Sequence, residues 1–261
     1  MTFNDYIKNP MGKKNAVFSQ REVYYSLYSD KFDKVLVREN GKITYSQFVD
    51  KKNDKYYIYI KIPSEVIPKF YYDVLIEFSS TNPVSKGVQN LDNYDVKFFS
   101  NDPAFVFTFA HAFISNDVFI SELTSKMSKL AVKNVATEKN PKDELGYVKS
   151  LFFAYLFMKQ RGLFKKISFI DAAPINFKQL VPTIMHADEK IKLRQEVQIE
   201  YDKRIKIEKH KQQNKNKSAQ DIADTKMQNN TNIVKAISPV KRTSQVSKTR
   251  TSKTTKRTRK I

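Results

Sequence analysis

The chain has 261 residues, 47 Lys and Arg against 27 Asp and Glu, a formal net charge of +20, and no cysteine. That inventory excludes a disulfide framework, a thiolate metal site and a cysteine nucleophile. The longest nearly unbroken apolar runs, AFVFTFAHAFI and LFFAYLFM, fall short of the ~18 to 20 residues a bilayer helix needs, and the N-terminus has no apolar signal segment, so an intracellular protein outside the membrane is expected.

Charge and aromatic residues divide the chain. Residues 1–185 carry 26 cations and 19 acids, net +7, and all Phe and Tyr except Tyr201; residues 186–261 carry 21 and 8, net +13. The first part is long enough to bury roughly 70% of its unfolded surface without a covalent staple. The abundance of Lys, Asn, Ile, Tyr and Phe, with few Gly and no Trp, suits an AT-rich genome.

Residues 1–18 read as an N-terminal arm. Ser19 and Glu22 form a capping box ahead of VYYSLYSDKF, which predicts a helix from about Gln20 that ends before Asp33. KVLVRENGKITY places Asn40 and Gly41 between two β-prone runs, the pattern of a hairpin with a type I′ turn, flanked by Glu39 and Lys42 as an opposite-charge pair. KYYIYIKIP alternates strictly, with Tyr56, Ile58, Ile60 and Ile62 on one face, Tyr57, Tyr59 and Lys61 on the other, and Pro63 as terminator. FYYDVLIEF and YDVKFF read as further strands around the loop TNPVSKGVQN. A helix is expected after Asp102 as cap and Pro103 at the first helical position, although Phe105, Phe107 and Phe109 also alternate as in a strand. Asn116 and Asp117 predict a second helix, DVFISELTSKMS. Asn140 and Pro141 predict a third through LFFAYLFMKQR, with Gly162 at its C′ position. In residues 187–209, Leu193, Val197, Tyr201 and Ile205 make an i, i+4 stripe that favours an exposed helix, while Val197, Ile199 and Tyr201 also fit a two-stranded ribbon. The expected class is α+β: a small, mostly antiparallel sheet in the first half packed with a helical second half. The expected organisation is arm 1–18, core domain 19–185, charged helix or ribbon 186–211 and disordered basic tail 212–261.

The strongest functional signal is that tail. Residues 238–261 hold Lys241, Arg242, Lys248, Arg250, Lys253, Lys256, Arg257, Arg259 and Lys260, spaced by Ser and Thr, and the last acid is Asp224. A polycation beside a phosphate polymer gains affinity by releasing condensed counterions, without sequence readout. The bland alternatives are a solubilising tail or one that binds an acidic protein surface. Tyr57, Tyr59, Lys61 and the neighbouring Lys55 have the residue types of a stacking platform for single-stranded bases, but a half-exposed sheet explains them more simply. His111, His186 and His210 are isolated and lack zinc-ligand spacing, so no metal site is expected; His111 fits a core edge. The five glycines form no phosphate-binding loop and there is no G-x-S-x-G elbow. Asp73 with Glu77, or Asp92 with Asp95, are acid pairs that a Mg²⁺ nuclease could use, yet such pairs are common surface decoration. No enzymatic activity and no cofactor are expected.

VKFFSNDPAFVFTFAHAF (96–113) and DELGYVKSLFFAYLFMKQRGLF (143–164), together with VLVRENGK and YYIYIKIPSEVIPKFYYDV, resemble a protein family encoded by tailed bacteriophages of AT-rich hosts. The resemblance covers about residues 1–165 and brings no catalytic or binding residue with it. It implies a phage origin and a virion or assembly role. The expected function is therefore a non-enzymatic virion structural or assembly protein, whose basic tail contacts nucleic acid or a neighbouring subunit. The alternative is an intracellular nucleic-acid-binding accessory protein that stays out of the particle. Expected partners are nucleic acid, other virion proteins or further copies of the chain, and no membrane; the expected location is the host cytoplasm during infection, or the virion.

Overall fold

The computed structural model describes residues 1–8, 18–80 and 87–236. Its centre is a five-stranded sheet of β1 (Tyr45–Asp50), β2 (Lys55–Pro63), β3 (Tyr71–Ser79), β4 (Asp95–Ser100) and the two-residue β5 (Ala173–Pro174). The order is β4-β3-β2-β1-β5. The first four strands pair antiparallel in chain order, and β5 adds to β1 in parallel. Register follows the alternation of the strands. Ile58 and Ile60 lie opposite Ile76 and Val74, and Ile76 lies opposite Phe98, so one face is apolar across three strands. On the other face Tyr57, Tyr59 and Lys61 lie opposite Glu77, Leu75 and Asp73. A one-residue slip would exchange these sets, which is why the pattern specifies the pairing.

Both faces are covered, giving three layers around one aromatic core. The apolar face carries α1 (Phe3–Lys8) and α5 (Lys149–Gln160). In α5 every residue from Ser150 to Met158 is buried, as its near-continuous apolar sequence requires. Against α5 packs α2 (Phe18–Arg38), whose Tyr25 and Tyr28 rings meet Phe152 and whose Phe32 meets Phe153 at 5.3–5.4 Å. The opposite face is covered by residues 118–126 and by α6 (Phe177–Thr183), through Phe119 on Phe99 and Phe177 on Tyr57. The α+β architecture expected from the sequence is the one found.

Several local expectations are corrected. Residues 1–8 are not an arm: Phe3, Tyr6 and Ile7 of α1 are buried in the core, while residues 9–17 lie outside the described residues. The hairpin at Asn40–Gly41 is absent, because α2 continues through Lys34–Arg38 and turns Phe32 and Val35 inward, leaving Val37 78% exposed. Asn40 (φ 53°) and Gly41 (φ 68°) do adopt the left-handed region. They serve as a Schellman cap: Gly41 N–H bonds Leu36 O at 2.7 Å and Asn40 N–H bonds Val37 O at 3.1 Å. Glu39 is not paired with Lys42; it takes Arg38, the Lys69 N–H and the Tyr71 hydroxyl.

The helix after Pro103 forms, with Asp102 Oδ1 accepting the Ala104 N–H at 2.9 Å. It contains a π-helical turn over Phe105–Phe109 before α3 (Ala110–Ser115). The helix expected from Asn116 does not form. Residues 118–120 are extended because Phe98 N–H and O bond Val118 O and the Ile120 N–H, satisfying the outer edge of β4. A 3₁₀ turn (Ser121–Lys126) and the short α4 (Lys129–Lys133) follow. Nor does α5 begin at Pro141: Asn140 is 8% exposed and its side chain closes a loop onto Thr108 O, Glu144 O and the Glu144 N–H. Gly162 (φ 65°) ends α5 as expected.

Residues Ala187–Ala236 form one helix, α7, not a ribbon. It extends through 212–236, where disorder was expected, and no Gly or Pro interrupts that range. The remaining tail, residues 237–261, lies outside the described residues. The chain divides into a first unit, Met1–Lys203, and a second from Arg204 onward. The break thus falls inside α7 instead of at Met185, because the first turns of α7 are packed: Ala187 is fully buried, and Val197 sits on Ile67, Phe70 and Tyr72.

Candidate nucleic-acid interface

The nine tail cations from Lys241 to Lys260 lie outside the described residues. What the structure shows of the basic extension is α7. Between Arg204 and Lys217 this helix carries Arg204, Lys206, Lys209, Lys211, Lys215 and Lys217 against the single acid Glu208, and all seven are exposed. At 1.5 Å rise per residue these cations occupy about 20 Å of helix. His210 lies among them, also exposed. From the sequence, Arg204, Lys206, Lys209 and Lys211 fall in the expected charged helix or ribbon, and Lys215 and Lys217 in the tail expected to be disordered; the signal that links them is the six-to-one ratio of charges in a run free of Gly and Pro.

The tyrosine platform is closed. Tyr57 and Tyr59 are 2% and 9% exposed, and of that set only the two lysines, Lys61 and the partly exposed Lys55, reach solvent. The Tyr57 ring meets Phe177 edge-on at 5.6 Å, and the Tyr59 hydroxyl donates to Asp73 Oδ1 at 2.5 Å. Burial, then the neighbouring carboxylates Glu77 and Asp73, push both hydroxyls far above the usual tyrosine range, so they remain protonated donors.

The acid pairs are likewise engaged. Asp73 Oδ2 accepts Asn101 Nδ2 at 2.7 Å, and that same nitrogen donates to Met185 O at 3.3 Å, tying β3 to the segment that enters α7. Glu77, 2% exposed, takes Lys55 Nζ at 2.9 Å. Burial holds the Lys190 ammonium below its usual range, partly opposed by Asp73, and its Nζ lies 4.8 Å from the Phe70 ring centre. Asp92 bonds Asn90, and Asp95 pairs with the Met1 amino group. His111 Nδ1 lies 2.7 Å from Asp143 Oδ2 at the edge of the core, and His186 Nδ1 accepts the Asp188 N–H. Among the described residues no group of three or more His, Asp or Glu is placed to hold a metal ion. No described helix is long and apolar enough to cross a membrane.

One cleft, of about 330 Å³, lies in the first unit between residues 62–66, Tyr72, the start of the helix after Pro103, α5 and Arg194. Its charges are largely matched from within. Lys149 and Lys31 both pair with Glu65, and Arg194 Nε donates to the Tyr72 hydroxyl at 2.8 Å. The Asp102 carboxyl is pushed up by burial, against the pull of the Ala104 N–H, the Ser150 hydroxyl, Lys149 and Arg194. With Lys139, six separate stretches of chain meet here, which no local sequence signal announces. The basic helix therefore remains the candidate interface. Comparison of the chain with protein-family models, curated proteins and solved structures finds no match.

Proposed function

We propose that the chain is a non-enzymatic structural or assembly protein of a tailed bacteriophage, and that its C-terminal extension contacts nucleic acid. The observation that carries the binding part is the run of six exposed cations against one acid along Arg204–Lys217, followed by nine further cations without an acid in residues 238–261. Surface helices ordinarily interleave both signs, which supports solubility at little electrostatic cost. A run so dominated by cations instead attracts anions, and a phosphate polymer gains most from it because each neutralised phosphate releases condensed counterions. The virion part rests on the resemblance of residues 1–165 to phage proteins.

Two measurements test the reading. Full-length protein is titrated against labelled DNA at several salt concentrations, beside a variant lacking residues 238–261. If about six tail cations touch phosphates, the slope of log K against log salt should fall by roughly four to five units. Absence of binding by the full chain at low salt would remove nucleic acid as the partner, and an unchanged slope would remove the tail. Mass spectrometry of purified particles tests the virion assignment: presence supports it, and absence leaves the intracellular accessory protein as the better reading.

A further inference from the structure

The six cations of Arg204–Lys217 are not spread at random around α7. With 3.6 residues per turn, about 100° per residue, Arg204, Lys211 and Lys215 fall within about 40° of one another, while Lys206, Lys209 and Lys217 cluster within about 80° on the opposite side. Two rows of cations thus run along opposite flanks of one helix, the first also holding Glu208, which lies within about 60° of each of its three cations, so it is the less basic of the two. Between them, on a side without any charged residue, lie Ile205, Gln212 and Asn216, of which the two amides are exposed and four residues apart.

Opposed rows are a poor match to a flat anionic surface, since an acidic protein face or a single strand would touch only one of them. Arg204–Lys217 contains no Phe, Tyr or Trp, and its single ring is His210, so it offers no run of rings on which successive unpaired bases could stack. A groove with phosphates on both walls touches both rows. The major groove of B-form DNA, about 12 Å wide, admits a helix about 10–12 Å across with its side chains. The A-form RNA groove is too deep and narrow for one.

We propose that Arg204–Lys217 is a DNA-binding helix that lies in the major groove of duplex DNA. The two basic rows contact the phosphates of the two strands, and Gln212 and Asn216 face the base edges, where an amide can bond adenine N6 and N7. The proposal rests on the nucleic-acid reading above and narrows it: the tail supplies affinity for any phosphate polymer, and the helix supplies selectivity for B-form duplex.

The test uses the full chain with a mixed-sequence DNA duplex and the RNA duplex of the same sequence. Binding is followed by fluorescence anisotropy, and dimethyl sulfate methylation of guanine N7 reports on the major groove. The protein should prefer the DNA duplex and protect N7. A combined variant, Lys206→Gln, Lys209→Gln, Lys211→Gln and Lys217→Gln, should lose the protection and lower the salt slope by about three to four units while the tail still binds. Glutamine has nearly the helix propensity of lysine, and far-UV circular dichroism verifies that α7 persists. If the variant lost helix, the wild-type footprint and the DNA preference would still decide the matter. No binding to either duplex would end the nucleic-acid reading as a whole. Binding with N7 unprotected, or equally tight binding to RNA, would overturn only the groove-bound helix.

Discussion

Replacing Phe3 by Ala tests whether the first residues belong to the core. The Phe3 side chain is fully buried, with the rings of Phe98, Tyr155, Phe164, Phe78 and Tyr6 centred 5.0, 5.2, 6.1, 6.3 and 6.4 Å away. Buried Phe→Ala changes cost about 3–5 kcal/mol, the sum of lost transfer energy and an unfilled cavity. The upper part of that range is expected, because Phe78 and Phe98 stand on hydrogen-bonded strands and Tyr155 on α5, so the walls cannot collapse inward. For a folded unit of about 200 residues, each kcal/mol lowers Tm by roughly 2–4 °C, giving a fall of about 6–20 °C. Urea unfolding can be followed by circular dichroism and by tyrosine fluorescence, since the chain has 14 Tyr and no Trp. The midpoint should drop with little change in slope. An exposed arm would respond by no more than about 0.5 kcal/mol, so a loss below about 1 kcal/mol would refute the placement of α1. Tyr6→Phe gives an independent check. It removes the hydroxyl that donates to Gly146 O at 2.8 Å and accepts the Val148 N–H at 3.2 Å, leaving two buried groups unsatisfied at a cost of about 1–3 kcal/mol.

Three further outcomes are expected. Gly146→Ala would place a Cβ 2.1 Å from Phe109 Cε1, so the same urea titration should show a loss of about 1–3 kcal/mol from overpacking, and unchanged stability would contradict that contact. Gly41→Ala forces a Cβ onto the left-handed C″ position of the cap at φ 68° with open space around it, so strain alone should cost about 1–2 kcal/mol. Burial pushes the Glu65 carboxyl up, but Lys149 and Lys31 outweigh it and hold it below its ordinary 4.5. A carboxyl depressed in the folded state adds stability that is present above 4.5 and lost as pH falls through its folded value, so Glu65→Gln should flatten the acid limb of the stability curve there, and parallel curves would show that the pair contributes nothing.

The sequence by itself determined those features whose cause lies within a few residues. Strict alternation in KYYIYIKIP can bury one face only as a strand, and Asp102–Pro103 and Gly162 mark helix ends because capping is a matter of adjacent backbone groups. The six-to-one charge ratio of Arg204–Lys217 was equally legible, being a local count; that the run forms a continuous helix with two opposed rows was not. Where one local conformation serves two architectures, only tertiary structure chose between them. Asn40–Gly41 needs positive φ in a hairpin and in a helix cap alike, and burial of Phe32 and Val35 against α5 decided for the cap. Asn140 caps a helix or staples a loop depending on whether Thr108 O is within reach. Tyr57 and Tyr59 become platform or core according to whether residues from α6 and β3 arrive to cover them. Phe3 joins the core because partners from β3, β4 and α5 enclose it, contacts up to about 160 residues away in sequence that no window of neighbouring residues contains.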